Sequence, residues 1–383
     1  MNDFHAILEK ALAEEPLSRS DLVRLLAADA PEEREALFRA AYEMKRRYVG
    51  TVAYFRGIVE CSNVCVRDCF YCGIRRSNTR VERFSMSEDE IFREALQAFE
   101  ARYGSCVIQA GERRDEAFVG MIERVVRRLK EATGGRLGIT LSLGEQSEAT
   151  YRRWREAGAH RYLLRIETSN PRLFARIHPL ESRFEERREC LRILRRTGWQ
   201  VGTGVMTGLP GQTLDDLAGD ILFFREEDID MIGMGPYIPH PDTPMGREVP
   251  PFDAEAKRRA LELGLKMIAV TRLFLRDVNI ASTTALQALD PVGREKGLRC
   301  GANVVMPNLT DTAYRVRYRL YEGKPCLDEN AAMCRACLAR RVESIGETVG
   351  WDRWGDALHY FRRTGRTPDE NAAAAAVTEP SAK

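Results

Sequence analysis

Apolar positions along the 383-residue chain change their period several times, and those changes order its elements. Over residues 1–48 they recur at helical spacing, as at Leu22, Leu25 and Leu26, and Ser18 precedes Asp21 by three residues as a capping box requires. The chain therefore opens as helices. From residue 51 short β-rich runs alternate with amphipathic stretches; the runs cover 51–59, 105–109, 137–143, 161–167, 201–206, 231–237, 279–284 and 302–306. Helical periodicity marks 88–101, 117–132, 148–157, 214–225 and 254–274 between them. Strands separated by helices pair in parallel, so eight such units within 49–312 predict an α/β fold, a complete (βα)8 TIM-type barrel. The chain then divides into an N-terminal helical collar (1–48), the barrel (49–312), a cysteine-containing helical extension (313–365) and a tail (366–383). The alanine run of that tail has no face to bury and is expected to be disordered.

Composition narrows the function classes. With 44% hydrophobic and 30% charged residues the bulk of the chain can fold around a core. Its 59 lysines and arginines against 57 acidic residues leave +2, which gives no strong field for nucleic acid or an anionic membrane. No window approaches the roughly 18 apolar residues of a membrane span, and no basic segment followed by an apolar one opens the chain. A cytoplasmic protein is expected. In that compartment thiols stay reduced, so ten cysteines point to metal sites or catalysis rather than to a disulfide framework.

Seven of the ten cysteines fall in two sets, while Cys106, Cys190 and Cys300 stand alone. Cys65, Cys69 and Cys72 read C-x3-C-x2-C in the loop that leaves the first predicted strand, at the end of a barrel where active sites lie. Three thiolates can hold three irons of a 4Fe-4S cluster and leave the fourth open, as a catalytic metal site keeps a position free. Cys61 reads better as a small buried thiol than as a fourth ligand. Zinc is the competing reading for the set, but zinc sites pair C-x2-C knuckles and no second pair lies nearby. The second set, Cys326, Cys334 and Cys337, reads C-x7-C-x2-C beyond the barrel. Gly208, Pro210 and Gly211 form a turn after the fifth run that permits close backbone approach, a weak signal alone.

The stretch CSNVCVRDCFYCGIRRSN, with Tyr71 before its last cysteine, carries the signature of radical S-adenosylmethionine (SAM) enzymes. Together with QAGE, LLRIETSN, GVMTGLPGQT, GMGPYIPHPDTP and CGANVVMPN, it makes the chain from about residue 48 to 354 resemble the HydE family, maturases of the FeFe hydrogenase active site. The resemblance implies catalysis at Cys65, Cys69 and Cys72, which would hold the 4Fe-4S cluster with SAM as the remaining ligand. It places SAM against Tyr71, Gly111, Glu112, Glu167, Ser169 and Arg187, a forked guanidinium being suited to the SAM carboxylate. Ala110 departs from the family pattern, where a serine is usual, and removes one hydroxyl. Substrate would lie against Arg165, Thr283, Thr284, Met306, Tyr318 and Tyr321, with His240 either touching it or holding its own loop. The tyrosines and Met306 also suit plain core packing.

By the same resemblance Cys326, Cys334 and Cys337 carry an auxiliary cluster, 2Fe-2S or 4Fe-4S, with zinc or a redox-sensitive trio as the alternative. A one-electron donor of ferredoxin or flavodoxin type would reduce the first cluster and release a 5′-deoxyadenosyl radical from SAM. The implied substrate is a small organometallic species made by HydG, and the implied recipient of the product is HydF. Competing readings are a methylornithine synthase-like mutase, a biotin synthase, and a non-enzymatic iron-sulfur carrier. SAM cleavage separates the carrier from the enzymes.

Overall fold

A computed structural model of the chain describes residues 4–250, 252–325 and 331–367. Three helices, Phe4–Leu12, Arg19–Leu26 and Pro31–Tyr48, come first. The capping box expected before the second is formed: Ser18 Oγ accepts from the N–H of Asp21 at 3.2 Å, and the Asp21 carboxylate accepts from the N–H of Ser18 at 2.9 Å. Pro31 opens the third, where its missing N–H costs nothing. These helices pack along Ala254–Leu275, whose second half is buried almost all round because the sheet lies on its other side.

The strands are β1 (Val52–Phe55), β2 (Gly57–Ser62), β3 (Ser105–Ala110), β4 (Gly138–Ser142), β5 (Arg161–Leu163), β6 (Gln200–Thr203), β7 (Met206–Thr207), β8 (Met231–Ile232), β9 (Gly235–Pro236), β10 (Asn279–Ser282), β11 (Val304–Val305) and β12 (Thr348–Val349). Ten of them form one parallel, curled sheet in the order β12-β1-β11-β10-β8-β6-β5-β4-β3-β2, and β7 pairs with β9 apart from it. An α/β architecture of TIM-like partial-barrel type is thus present. All eight predicted runs contain strand. Those at 201–206 and 231–237 break in two because Gly204 lies against Gly233, where a Cβ would stand 1.9 Å from the Gly233 carbonyl oxygen.

The 52–62 run is bonded along both edges. On one side the N–H of Arg56 donates to the Val305 carbonyl at 2.9 Å, that of Ile58 to Pro307 at 2.8 Å, and that of Leu309 to Ile58 at 2.8 Å. On the other, Gly57 to Ser62 pair with Cys106 to Ala110. Below the strands the segment 354–357 forms a floor: Asn279 Nδ2 donates to the Gly355 carbonyl at 2.8 Å, the Ala357 N–H donates to Gln200 Oε1 at 3.0 Å, and Asp356 pairs with buried Arg161. A small cavity of about 30 Å³ remains between the strands, lined by Arg56, Thr140, Met231, Asn279 and Met306 among others, and is large enough for water. Among the described residues no helix is long and apolar enough to cross a membrane.

Candidate active site

The cysteine loop leaves β2 and has almost no regular structure, so side chains fix its course. Asn63 Nδ2 donates to the Glu82 and Arg317 carbonyls at 2.9 and 2.8 Å, and its Oδ1 accepts from the Phe84 N–H at 2.8 Å. Asp68 accepts from the N–H and hydroxyl of Ser77 and from Arg75, at 2.9, 2.7 and 2.7 Å. Cys69 and Cys72 share a turn in which the Cys72 N–H donates to the Cys69 carbonyl at 3.3 Å. Cys65 Sγ accepts from the backbone N–H groups of Arg67 and Glu112 at 3.4 and 3.3 Å. That approach needs Gly111, where a Cβ would stand 2.4 Å from the Val64 carbonyl oxygen and 2.7 Å from the Cys65 Cβ.

Burial pushes Cys69 up to about 12 and raises Cys72 well above the ordinary thiol value, and at Cys72 the charges of Cys69 and Cys65 add to burial. The three thiols therefore lie near enough to feel one another's charge, in a site that disfavours bare thiolates. A metal centre reverses that preference by supplying the missing positive charge. Among the described residues no three His, Cys, Asp or Glu side chains converge as a single ion demands. A polynuclear cluster, which gives each thiolate its own iron, is compatible with three thiols spaced along one loop. Cys61 is fully buried in the main core, and burial pushes its thiol up to about 12.

Beside the loop lies a charge network. Glu112 and Glu145 are buried; Arg67 Nε donates to Glu112 at 2.7 Å, Arg114 reaches the same carboxylate at 2.8 Å, and Arg187 Nε donates to Glu145 at 2.7 Å. A second nitrogen of Arg187 donates to the Arg165 carbonyl at 3.0 Å. Burial opposes the charge of Arg187, yet Glu145 beside it holds the guanidinium protonated. Three arginines over two carboxylates leave an excess positive charge next to the thiols, suited to an anionic group.

Glu167 occupies left-handed backbone, φ 68°, a conformation that costs a non-glycine residue about 1–3 kcal/mol and is typical of functional positions. Its N–H donates to the Gly204 carbonyl at 2.9 Å, its own carbonyl accepts from Met206 at 3.0 Å, and its carboxylate accepts from Arg165 Nε at 2.9 Å. Arg165 also donates to the Val205 and Gly233 carbonyls. Tyr71 sits edge-on to His178, ring centroids 5.4 Å apart. Tyr318 is buried and its hydroxyl accepts from Gln109 Nε2 at 3.2 Å. Burial raises Tyr321, and the charges it meets are those of Arg294, Glu60 and Arg165, which places it over the same interior. Thr283 Oγ1 donates to the Met234 carbonyl at 3.1 Å, Thr284 Oγ1 accepts from Arg294 at 3.1 Å, and Met306 lines the small cavity below.

Ser169 stands apart from these residues. Its N–H donates to Asp220 Oδ1 at 2.5 Å, and it lines an outer groove between helices rather than the strand ends. His240 holds its own loop, its Nδ1 accepting from the Asp242 N–H at 3.1 Å with the ring against Gly73. Gly208 and Gly211 adopt positive φ in their turn. Cys326 and the side chain of Cys334 lie outside the described residues; Cys337 is half-buried on helix Ala331–Ser344, one turn before Arg341. Sequence reasoning passed over Arg67, Glu145, Glu60 and Lys324. Lys324 Nζ donates to Glu60 at 2.7 Å and to the Tyr318 carbonyl at 3.0 Å, fastening the segment that carries both tyrosines onto β2. Arg67, within CVRDC, and Glu145, just after β4, had a positional signal in being next to a strand end.

The loop, the strand-end carboxylates and the parallel sheet together define an enzyme of the radical SAM class, and residues 59–224 match the model of the Radical SAM superfamily. The chain is 43% identical to the [FeFe] hydrogenase maturase subunit HydE of Thermotoga maritima, over 93% of this chain and 98% of that one. It belongs to the HydE family. Similarity to the 3-methylornithine synthase of Methanosarcina acetivorans is lower, 26% identity over 78% of this chain and 81% of that one. The crystal structure of a methylornithine synthase superposes with a TM-score of 0.75 at 23% identity, covering 90% of this chain and 98% of that chain, which shows the shared fold.

Proposed function

We propose that this chain acts in hydrogenase maturation as a radical SAM enzyme whose chemistry takes place above the strand ends, at Cys65, Cys69 and Cys72. The observation that carries the reading is the set of three neighbouring thiols on one loop at a strand end, beside an arginine excess, in a chain 43% identical to a HydE maturase. A bound 4Fe-4S cluster with SAM supplies one-electron cleavage of SAM to a 5′-deoxyadenosyl radical. The protein's own residues do the positioning. N–H groups of Arg67 and Glu112 stabilise the Cys65 thiolate. Glu112, with Gly111 beside it, takes the SAM amine, Arg187 takes its carboxylate, and Glu167 takes the ribose, while Tyr71 packs beside the last cysteine. Ser169 serves indirectly, by fixing the chain after Glu167 through Asp220.

Substrate would sit deeper, under Tyr318 and Tyr321, against Arg165, Thr283 and Thr284, with Met306 below. Bonding of the 52–62 run along both edges supports a closed eight-unit barrel, which would keep water and oxygen from the radical. The collar, barrel, extension and tail divide the chain at residues 48, 312 and 365. Cys326, Cys334 and Cys337 would hold an auxiliary cluster outside the barrel. A small organometallic precursor from HydG as substrate and transfer of the product to HydF complete the reading, with a ferredoxin or flavodoxin as electron source and the cytoplasm as its place. The test is 5′-deoxyadenosine formation from SAM by the anaerobically reconstituted protein under dithionite, with Cys69→Ala as control. Turnover that requires Cys69 supports the assignment; iron binding without cleavage would leave a carrier.

A further inference from the structure

The cysteine loop carries a surface that the site itself does not use. Among the described residues Leu180 is 96% exposed and Val66 45% exposed, two of the few large apolar side chains that face solvent. Their segments lie side by side: Arg67 reaches the Glu181 carbonyl at 3.5 Å, and the Phe70 N–H donates to the Ile177 carbonyl at 3.0 Å. Val66 adjoins Cys65 directly. Beside these segments the exposed Arg76 donates its N–H to the Arg67 carbonyl at 2.8 Å and its guanidinium reaches Glu181, and exposed Arg80 follows four residues later on the same loop. Residues 65–83 contain five arginines against Asp68 and Glu82, although the whole chain is nearly neutral at +2. Asp68 is spent inside the loop on Arg75 and Ser77. The outward partners of Arg76 and Arg80 are single exposed or half-exposed acids, Glu181 at 3.5 Å and Asp242 at 2.6 Å, pairs worth little in water.

We propose that Val66, Leu180, Arg76 and Arg80 form the docking surface for a small acidic one-electron carrier protein. The inference rests on the radical SAM reading. One electron leaves the reduced carrier and enters the cluster at Cys65, Cys69 and Cys72, with no proton transferred, so the carrier must approach this face of the loop. A small apolar centre with a basic rim suits a transient redox complex, in which complementary charge steers encounter and a modest interface lets the partner leave.

The experiment measures binding of an oxidised, acidic flavodoxin to the full chain by calorimetry at low and moderate salt, and separately 5′-deoxyadenosine formation driven by reduced flavodoxin or by dithionite. Arg76→Glu with Arg80→Glu is expected to weaken flavodoxin binding at least tenfold at low salt, flatten its salt dependence, and slow the flavodoxin-driven rate while the dithionite-driven rate stays unchanged. Leu180→Asp is expected to weaken binding as well. Arg258→Glu with Arg259→Glu, the same charge change on the outer helix Ala254–Leu275, is expected to leave binding as it was. Unchanged binding in the loop variant, or equal loss in the outer-helix variant, would overturn the proposal. Absence of dithionite-driven cleavage by the unaltered protein would instead count against the activity, since the binding measurement reads the surface by itself.

Discussion

The backbone N–H of Glu112 donates to Cys65 Sγ at 3.3 Å, joining two residues that are 47 positions apart. The end of β3 and the cysteine loop thus form one unit, and Gly111 is the residue that lets them meet. Gly111→Ala would drive a Cβ against the Val64 carbonyl and Cys65, an overpacking of about 1–3 kcal/mol concentrated on the loop. The variant is expected to keep its helical circular dichroism but to take up less iron on reconstitution than the unaltered chain. Iron content equal to that of the parent would contradict this.

Much of this unit was legible in the sequence, and the reason is local. C-x3-C-x2-C lies within eight residues, and the alternation of strand and helix patterns sets its place at a strand end. The capping box at Ser18 and the buried state of Cys61 were readable for the same reason. The Arg67, Glu112, Glu145 and Arg187 network was legible only in part, because it joins four segments that only the closing of the sheet brings together. Lys324 with Glu60 spans 264 positions and leaves no periodic trace. Ser169 lies within LLRIETSN yet turns outward to Asp220, and a motif does not record which way a side chain leaves the chain after a strand end.

Arg187→Lys tests the anion side of the site. Lysine keeps the charge but cannot donate from a fork to Glu145 and to the Arg165 carbonyl at once. Losing one charge-assisted hydrogen bond of about 1.5–3 kcal/mol should raise the KM for SAM roughly 10- to 100-fold. The measurement is 5′-deoxyadenosine production against SAM concentration under dithionite, with iron content as the control. An unchanged KM would remove Arg187 from SAM binding.

Asp220 gives the fold a pH dependence. Burial pushes its carboxyl up to about 7 from an ordinary 3.8, against the hydrogen bonds it accepts from Ser169. The folded chain therefore holds this proton more tightly than the unfolded chain. That contribution to stability is complete below about pH 4 and is lost as pH rises through about 7. Asp220→Asn should flatten the Tm profile between pH 5 and pH 8, most visibly by raising the variant's relative Tm at pH 8. A profile as steep as the parent's would contradict the assignment.

Replacing Cys326, Cys334 and Cys337 together by alanine separates the two cysteine sets. The variant is expected to lose part of its iron while still forming 5′-deoxyadenosine from SAM. Electron paramagnetic resonance of the reduced protein should keep the signal of the cluster held by Cys65, Cys69 and Cys72. Complete loss of SAM cleavage in a protein that retains that signal would give the second set a part in the radical step.

The most direct measurement of the central claim is hydrogen evolution from unmatured FeFe hydrogenase, mixed anaerobically with HydF, HydG, SAM and the reconstituted chain, beside Cys69→Ala. The maturase reading predicts hydrogen with the intact chain and none with the variant. Steady 5′-deoxyadenosine formation without hydrogen would contradict it, leaving radical chemistry directed at a different substrate.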